Sequence, residues 1–172
     1  MSQQADSCRT IMDFKEGSEA DQWIVVSDSV MGGISRGQIR VSADSCLIFS
    51  GVLSLENNGG FSSIRTQPRE FSLGDFLGMR IRVKGDGRRY QFRLRVDDDF
   101  DGVAFTKEFQ TAENAWLEID LPFASFVPTY RGRVLRDVGP LVASAIRQLG
   151  FLIADKTAGP FSLKVDRIAA YK

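Results

Sequence analysis

The sequence predicts an all-β protein: one β-sandwich of jelly-roll type, spanning residues 1–172, with at most one or two short helices. Three observations carry that expectation. Short apolar runs alternate with polar residues, turns rich in Gly, Asn and Asp separate them at short intervals, and only one segment has helical spacing.

Ile11 to Phe14 and Trp23 to Val26 are short apolar runs, and Gln38 to Val41 is strand-like. In Leu47 to Leu55 the alternating set Leu47, Phe49, Gly51, Leu53 and Leu55 predicts one buried face, with a glycine where packing is close. Asn57-Asn58-Gly59-Gly60 then turns the chain into Phe61 to Thr66. Met79 to Lys84 and Tyr90 to Val96 are joined by Gly85-Asp86-Gly87, a strong short-range hairpin signal. Val103 to Phe109, Trp116 to Leu121, Leu149 to Ala154 and Phe161 to Tyr171 complete the strands. Pro140 to Leu149 is the helix candidate, opened by Pro140 and closed by Gly150.

The 172 residues suffice for one core without metals or crosslinks. A composition of 43% apolar and 26% charged residues excludes a disordered chain. Lys plus Arg and Asp plus Glu both number 22, so no net field recruits nucleic acid or an anionic membrane. No histidine is present, which removes Ser-His-Asp and Cys-His catalysis and His-ligated metals. Two cysteines, Cys8 and Cys46, are too few for a structural zinc or iron–sulfur site and read as free thiols used in packing. No metal or cofactor is expected. Met1 to Thr10 lacks the basic and apolar regions of a secretory signal, and no apolar run is long enough to span a bilayer, so the expected location is cytoplasmic.

Three motif matches fail on context. Gly33-Ile34-Ser35-Arg36-Gly37 fits the G-x-S-x-G nucleophile elbow, but no helix follows and no histidine can take the serine proton. Ser35 is expected to be a turn residue bonded to nearby backbone. Gly85-Asp86-Gly87-Arg88-Arg89-Tyr90 lacks the third glycine of a dinucleotide fingerprint. Asp97-Asp98-Asp99-Phe100-Asp101-Gly102 with Glu108 fits a calcium loop, but its flanks have strand composition, so it reads as an acidic hairpin loop with weak calcium binding as the minority view.

Alternation also defines a surface. Arg80, Arg82 and Lys84 face away from the core, as do Gln91, Arg93 and Arg95, and Trp116, Glu118 and Asp120. One sheet face is therefore expected to carry all of them, close enough for cross-strand pairs. It is either a solvated surface of weak ion pairs or a recognition face with Trp116 as platform.

Several segments together, Trp23 to Ser35 (containing Asp28-Ser29-Val30-Met31-Gly32-Gly33), Phe49-Ser50-Gly51, Asn57 to Arg65, Gly85-Asp86-Gly87, Trp116 to Phe126, Arg131-Gly132-Arg133 and Gly159-Pro160-Phe161, resemble the complex I intermediate-associated protein 30 family. The resemblance implies a galactose-binding-domain-like jelly roll, similar to some carbohydrate-binding modules. It also implies a non-enzymatic role, since mitochondrial members act as chaperones in assembling the respiratory NADH dehydrogenase. Relatives in photosynthetic lineages carry the domain beside a short-chain-dehydrogenase-like domain; this sequence has neither that partner domain nor a recognisable presequence.

The expected function is therefore binding of a protein partner, an unfolded or partly assembled subunit, with a glycan on the concave face or loop rim as the alternative. Candidate contact residues are Asp28, Asn57, Arg65, Arg82, Arg93, Trp116, Arg131, Arg133 and Asp155. Of these, Arg65, Arg131, Arg133, Asp28 and Asp155 are expected to converge near one rim, where they either knit long loops together or hold an anionic or polyhydroxylated ligand.

Overall fold

The structure is a computed structural model and describes residues 7–28 and 32–172; the Ser29, Val30 and Met31 part of the family motif lies outside them. Alternating apolar residues pair into two antiparallel sheets that stack into a jelly-roll sandwich. In chain order the strands are β1 (Cys8–Met12), β2 (Trp23–Ser27), β3 (Arg36–Val41), β4 (Leu47–Leu53), β5 (Ser62–Thr66), β6 (Gly78–Lys84) and β7 (Arg89–Arg95). They continue as β8 (Ala104–Gln110), β9 (Trp116–Pro122), β10 (Val127–Tyr130), β11 (Arg133–Val134), β12 (Gln148–Ile153) and β13 (Gly159–Tyr171). One sheet has six strands, in the order β3-β4-β13-β6-β9 with β1 also on β13; the other has seven, in the order β11-β10-β8-β7-β12-β5-β2.

The inward residues of the two sheets form one core. Leu47, Phe49, Met79, Ile81, Val83, Leu163 and Val165 come from the six-stranded sheet, and Tyr90, Phe92, Leu94, Leu149, Phe151 and Ile64 from the seven-stranded one. Phe151 organises the centre, with Phe92 edge-on at 5.1 Å and Trp23 stacked at 6.0 Å. Both cysteines are free thiols.

Two expectations need correcting. Gly85-Asp86-Gly87 does reverse the chain, but it makes no hairpin: β6 pairs with β13 and β9, whereas β7 pairs with β8 and β12. A tight turn fixes a reversal, not a partner. In a sandwich the reversed strand can enter the opposite sheet. The helix expected over Pro140 to Leu149 is one 3-10 turn at Ala143–Ala145, and β12 begins at Gln148, because Ile146 and Leu149 reach the core from extended backbone. The one α-helical turn among the described residues, α1 (Gly17–Ala20), stands elsewhere, where the Glu19 carboxylate accepts the Asp13 and Phe14 backbone N–H groups. The short edge strand β11 and its neighbour β10 were not anticipated; β11 pairs only with Thr129 and Tyr130, so Pro128 lies beyond that ladder.

Candidate functional site

The strand reversal at Gly85 divides the outward charges between the two outer faces. Arg82 and Trp116 therefore lie on the six-stranded sheet and Arg93 on the seven-stranded one, so the single recognition face expected from alternation does not exist. The five rim residues are divided as well. Asp28 follows β2 and Asp155 follows β12, at the end where Ser27 and Ile153 both pair with Ser62. Arg131 sits at the opposite end, on the β10–β11 turn, and Arg133 is exposed on β11.

Asp28 is a loop knot. Its buried carboxylate accepts bonds from Ser35 N at 2.9 Å, Ser35 Oγ at 2.5 Å, Gly60 N at 2.6 Å and Phe61 N at 3.3 Å. Burial pushes its pKa up, but these donors outweigh burial and hold it below the ordinary carboxylate value. A Cβ on Gly33 or Gly59 would run into the same carboxylate, which explains the glycines on either side. Ser35 does more than the expected turn residue: it is buried, bonds the carboxylate and the Ser54 carbonyl, and accepts the Ser54 N–H. Asn57 stands exposed nearby in the left-handed conformation (φ 56°), which asparagine tolerates well.

Asp155 belongs to a separate ion pair at the same end. Arg88, which sequence reasoning missed, meets it with two bonds, 2.8 Å from Nε and 2.6 Å from Nη2, and both side chains are only 13% exposed. The guanidinium also donates to the carbonyls of Thr157, Gly159 and Pro160, tying the β12–β13 loop to the β6–β7 crossover. The Arg88 contact lowers the Asp155 pKa against the opposing effect of burial. An open cleft of about 420 Å³ lies beside the pair, lined partly by Gln110, Thr157 and Pro160.

On the outer face of the six-stranded sheet, Arg80, Arg82 and Lys164 are each met by a carboxylate. Arg80 Nε lies 2.6 Å from Asp120, Arg82 Nη1 2.9 Å from Asp166 and Lys164 Nζ 2.8 Å from Asp44. Arg82 also stacks over the Trp116 ring at 4.3 Å, so that face of the expected platform is already covered.

The outer face of the seven-stranded sheet differs. Register places Ile24, Arg65, Gly150, Arg93, Thr106 and Val127 in one row across six strands. Arg65 is buried, yet it meets no carboxylate among the described residues. Its Nη1 donates to the Phe100 carbonyl at 2.7 Å and its guanidinium lies 4.2 Å from the Phe100 ring centroid. Arg95, two residues from Arg93 on β7, donates to the Gly102 carbonyl at 2.7 Å. Arg93 has no hydrogen bond or ion pair among the described residues, and its Nε is buried. Burial, then repulsion from Arg95 and Arg65, pulls the Arg93 pKa down to about 10; burial and then Arg95 do the same for Arg65.

The loop 97–102 joins β7 to β8 as the expected acidic hairpin. Glu108 lies up β8 opposite Gln91, and Arg131 lies 2.6 Å from Asp101. No group of three or more His, Cys, Asp or Glu side chains able to hold a metal occurs among the described residues.

Two antiparallel sheets and long stapled loops define a jelly roll of the kind seen in carbohydrate-binding modules. The fold matches the family 11 carbohydrate-binding module of the cellulosomal cellulase Lic26A-Cel5E of Clostridium thermocellum, with TM-score 0.74 and 17% identity over 96% of this chain and 95% of that one. Residues 12–165 match the family model for complex I intermediate-associated protein 30, and the chain belongs to that family. It is 32% identical over 188 residues to the mitochondrial complex I intermediate-associated protein 30 of Mus musculus, covering 96% of this chain and 57% of that protein. The Drosophila melanogaster protein of the same name is 26% identical over 180 residues, covering 92% and 61%. The chain thus spans little more than half the length of these curated relatives. Their names also overturn the cytoplasmic expectation: the relatives are mitochondrial, and the first ten residues were no guide to compartment.

Proposed function

We propose that the chain is a non-enzymatic protein-binding module that assists assembly of the respiratory NADH dehydrogenase, complex I, by holding an unfinished subunit or subcomplex. The observation that carries this is the family match along residues 12–165. The chemistry of the surface agrees with binding rather than turnover. The serine of the elbow-like motif is committed to Asp28 and Ser54, and the chain contains no histidine to activate it.

Within the candidate set, Arg65 and Arg93 are assigned the partner contact. Asp28 and Asp155, whose carboxylates are filled by loop donors and by Arg88, are assigned to supporting the loops. The carbohydrate reading rests on likeness of fold alone, and fold does not transfer a ligand. Affinity purification from mitochondria of the native cell, followed by mass spectrometry, tests the proposal. Complex I subunits are expected to co-elute; a reproducible set of partners without any of them would overturn it.

A further inference from the structure

Burying a guanidinium without a counter-charge is costly, and folded chains tolerate it where something else gains. Here Arg93, half-buried with its Nε out of reach of water, has no partner among the described residues, and the buried Arg65 beside it has no ion pair there, with only the more distant field of Asp101 to offset its burial. Arg65 and Arg93 are separated only by Gly150, and Arg95 follows on the same face of β7. A Cβ at position 150 would come within 2.8 Å of the Ile64 carbonyl oxygen and 3.2 Å of the Arg65 Cβ, so there is no room for a side chain there and none stands between the two arginines.

The chain's own acidic loop passes over one end of this row but gives it carbonyls: Phe100 to Arg65, Gly102 to Arg95. The carboxylate of Asp101 turns instead to Arg131 and Tyr130. Arg65 and Arg95 are thereby held in place while retaining full charge, and Arg93 is left with an unused fork. Along the row and beside it lie Ile24, Val26, Leu152 and Val127, apolar side chains flanking the cationic centre.

We propose that this outer face is a docking surface for an acidic polypeptide segment, on which the Arg93 fork takes a carboxylate and Arg65 and Arg95 supply the surrounding field. The inference rests on the protein-binding reading above and gives that binding its chemistry. A planar carboxylate fits one guanidinium through two parallel bonds, which is the capacity Arg93 has to offer. The apolar flanks suit the neighbouring side chains of an extended segment lying across the strands.

Titration calorimetry with a hexaglutamate peptide at low salt tests it, with inorganic phosphate and a mixed-linkage β-glucan tetrasaccharide as comparison ligands. The wild-type chain is expected to bind the peptide, less tightly as salt is added, and in preference to both comparison ligands. Arg93→Gln should weaken the peptide by at least about tenfold and leave the melting temperature unchanged or raised, because it removes an unpaired buried charge. Thr106→Glu places a carboxylate opposite Arg93 and should block the peptide without touching an arginine.

No peptide binding by the wild type, equal binding by Arg93→Gln or Thr106→Glu, or phosphate binding as tight as peptide would each overturn the docking surface. Complex I subunits captured by a wild-type chain that ignores hexaglutamate would sink the docking surface and leave the assembly role standing. Peptide binding without capture of any such subunit would do the reverse.

Discussion

On the outer face of the six-stranded sheet Arg80 meets Asp120 at 2.6 Å and Arg82 meets Asp166 at 2.9 Å; across the sandwich Arg93 meets no carboxylate among the described residues. Both faces come from the same alternating pattern, with arginines every second residue on β6 and on β7. The difference lies in what the neighbouring strands bring. β9 and β13 supply Glu118, Asp120 and Asp166 beside β6. β12 supplies Gly150 and Leu152 beside β7, β8 supplies Thr106 opposite Arg93 and a Glu108 that lies 3.7 Å from Arg89 instead, and β5 adds another arginine. Around Arg80 and Arg82 the charge is paired internally, whereas Arg93 is left unpaired among the described residues, which is why the second face is the one proposed to bind.

The premise that an unpaired arginine is expensive can be tested away from the proposed docking surface. Asp155→Ala would leave Arg88 buried without a carboxylate, held only by the Thr157, Gly159 and Pro160 carbonyls, the condition of Arg65 in the row. A loss of about 3–5 kcal/mol is expected, since breaking one side of a buried pair strands the other charge. Urea unfolding measures it. A loss below about 1 kcal/mol, the range of a surface pair, would mean that this fold hosts lone guanidiniums at little cost, and the contrast between the faces would lose its meaning.

Gly150→Ala comes next. Its Cβ would press on the Ile64 carbonyl, which is backbone and cannot swing aside. An overpacked strand of this kind costs about 1–3 kcal/mol, and it puts a methyl group between Arg65 and Arg93. Thermal unfolding should show the loss, and a chain as stable as wild type would mean that the gap carries no constraint.

These tests depend on pairings that no local pattern reveals. β4 was legible because Leu47, Phe49 and Leu53 repeat every second residue and are all buried, but Leu55, expected to continue that face, lies past the end of the strand and is exposed. The turn at Gly85 was legible too, but its strands went to different sheets because their partners, β13 and β12, come from more than fifty residues downstream. The segment after Pro140 looked helical since Leu141, Val142, Ala145, Ile146 and Leu149 mimic a 3.6 period over too short a stretch to separate helix from strand. For the site, Arg65 and Arg93 were both singled out, from different arguments. That they are neighbours required the register of β12 between them. Arg95 sits two residues from Arg93 and its alternation already placed it on the same face; Arg88, just past a glycine turn, had no such signal.

Acid exposes the neutralised regions and spares the arginine row. Asp28 and Asp155 titrate below the ordinary carboxylate value in the folded chain, Asp28 because its donors outweigh burial and Asp155 because of Arg88. A depressed folded pKa contributes stability that is complete above the unfolded value of about 3.9 and is lost as pH falls through the folded one. Unfolding free energy should therefore be level from about pH 5 to 7, where a chain without histidine has no ordinary side chain to titrate, and fall below about pH 4. Asp28→Asn should flatten part of the acid limb in a pH series of melting curves; an identical limb would assign it to other carboxylates.

The smallest effect is expected at the centre of the paired face. Arg82 and Asp166 are 40% and 36% exposed, so water screens their attraction and ordering two side chains offsets much of it. Arg82→Ala also removes the stack over Trp116, but that contact is largely solvated and Trp116 stays anchored by β9. A change of about 0–1 kcal/mol is expected, with no effect on hexaglutamate binding, since the residue faces the opposite side of the sandwich from the arginine row. Loss of peptide binding in Arg82→Ala, at unchanged stability, would place recognition on the six-stranded sheet and reverse the assignment of the two faces.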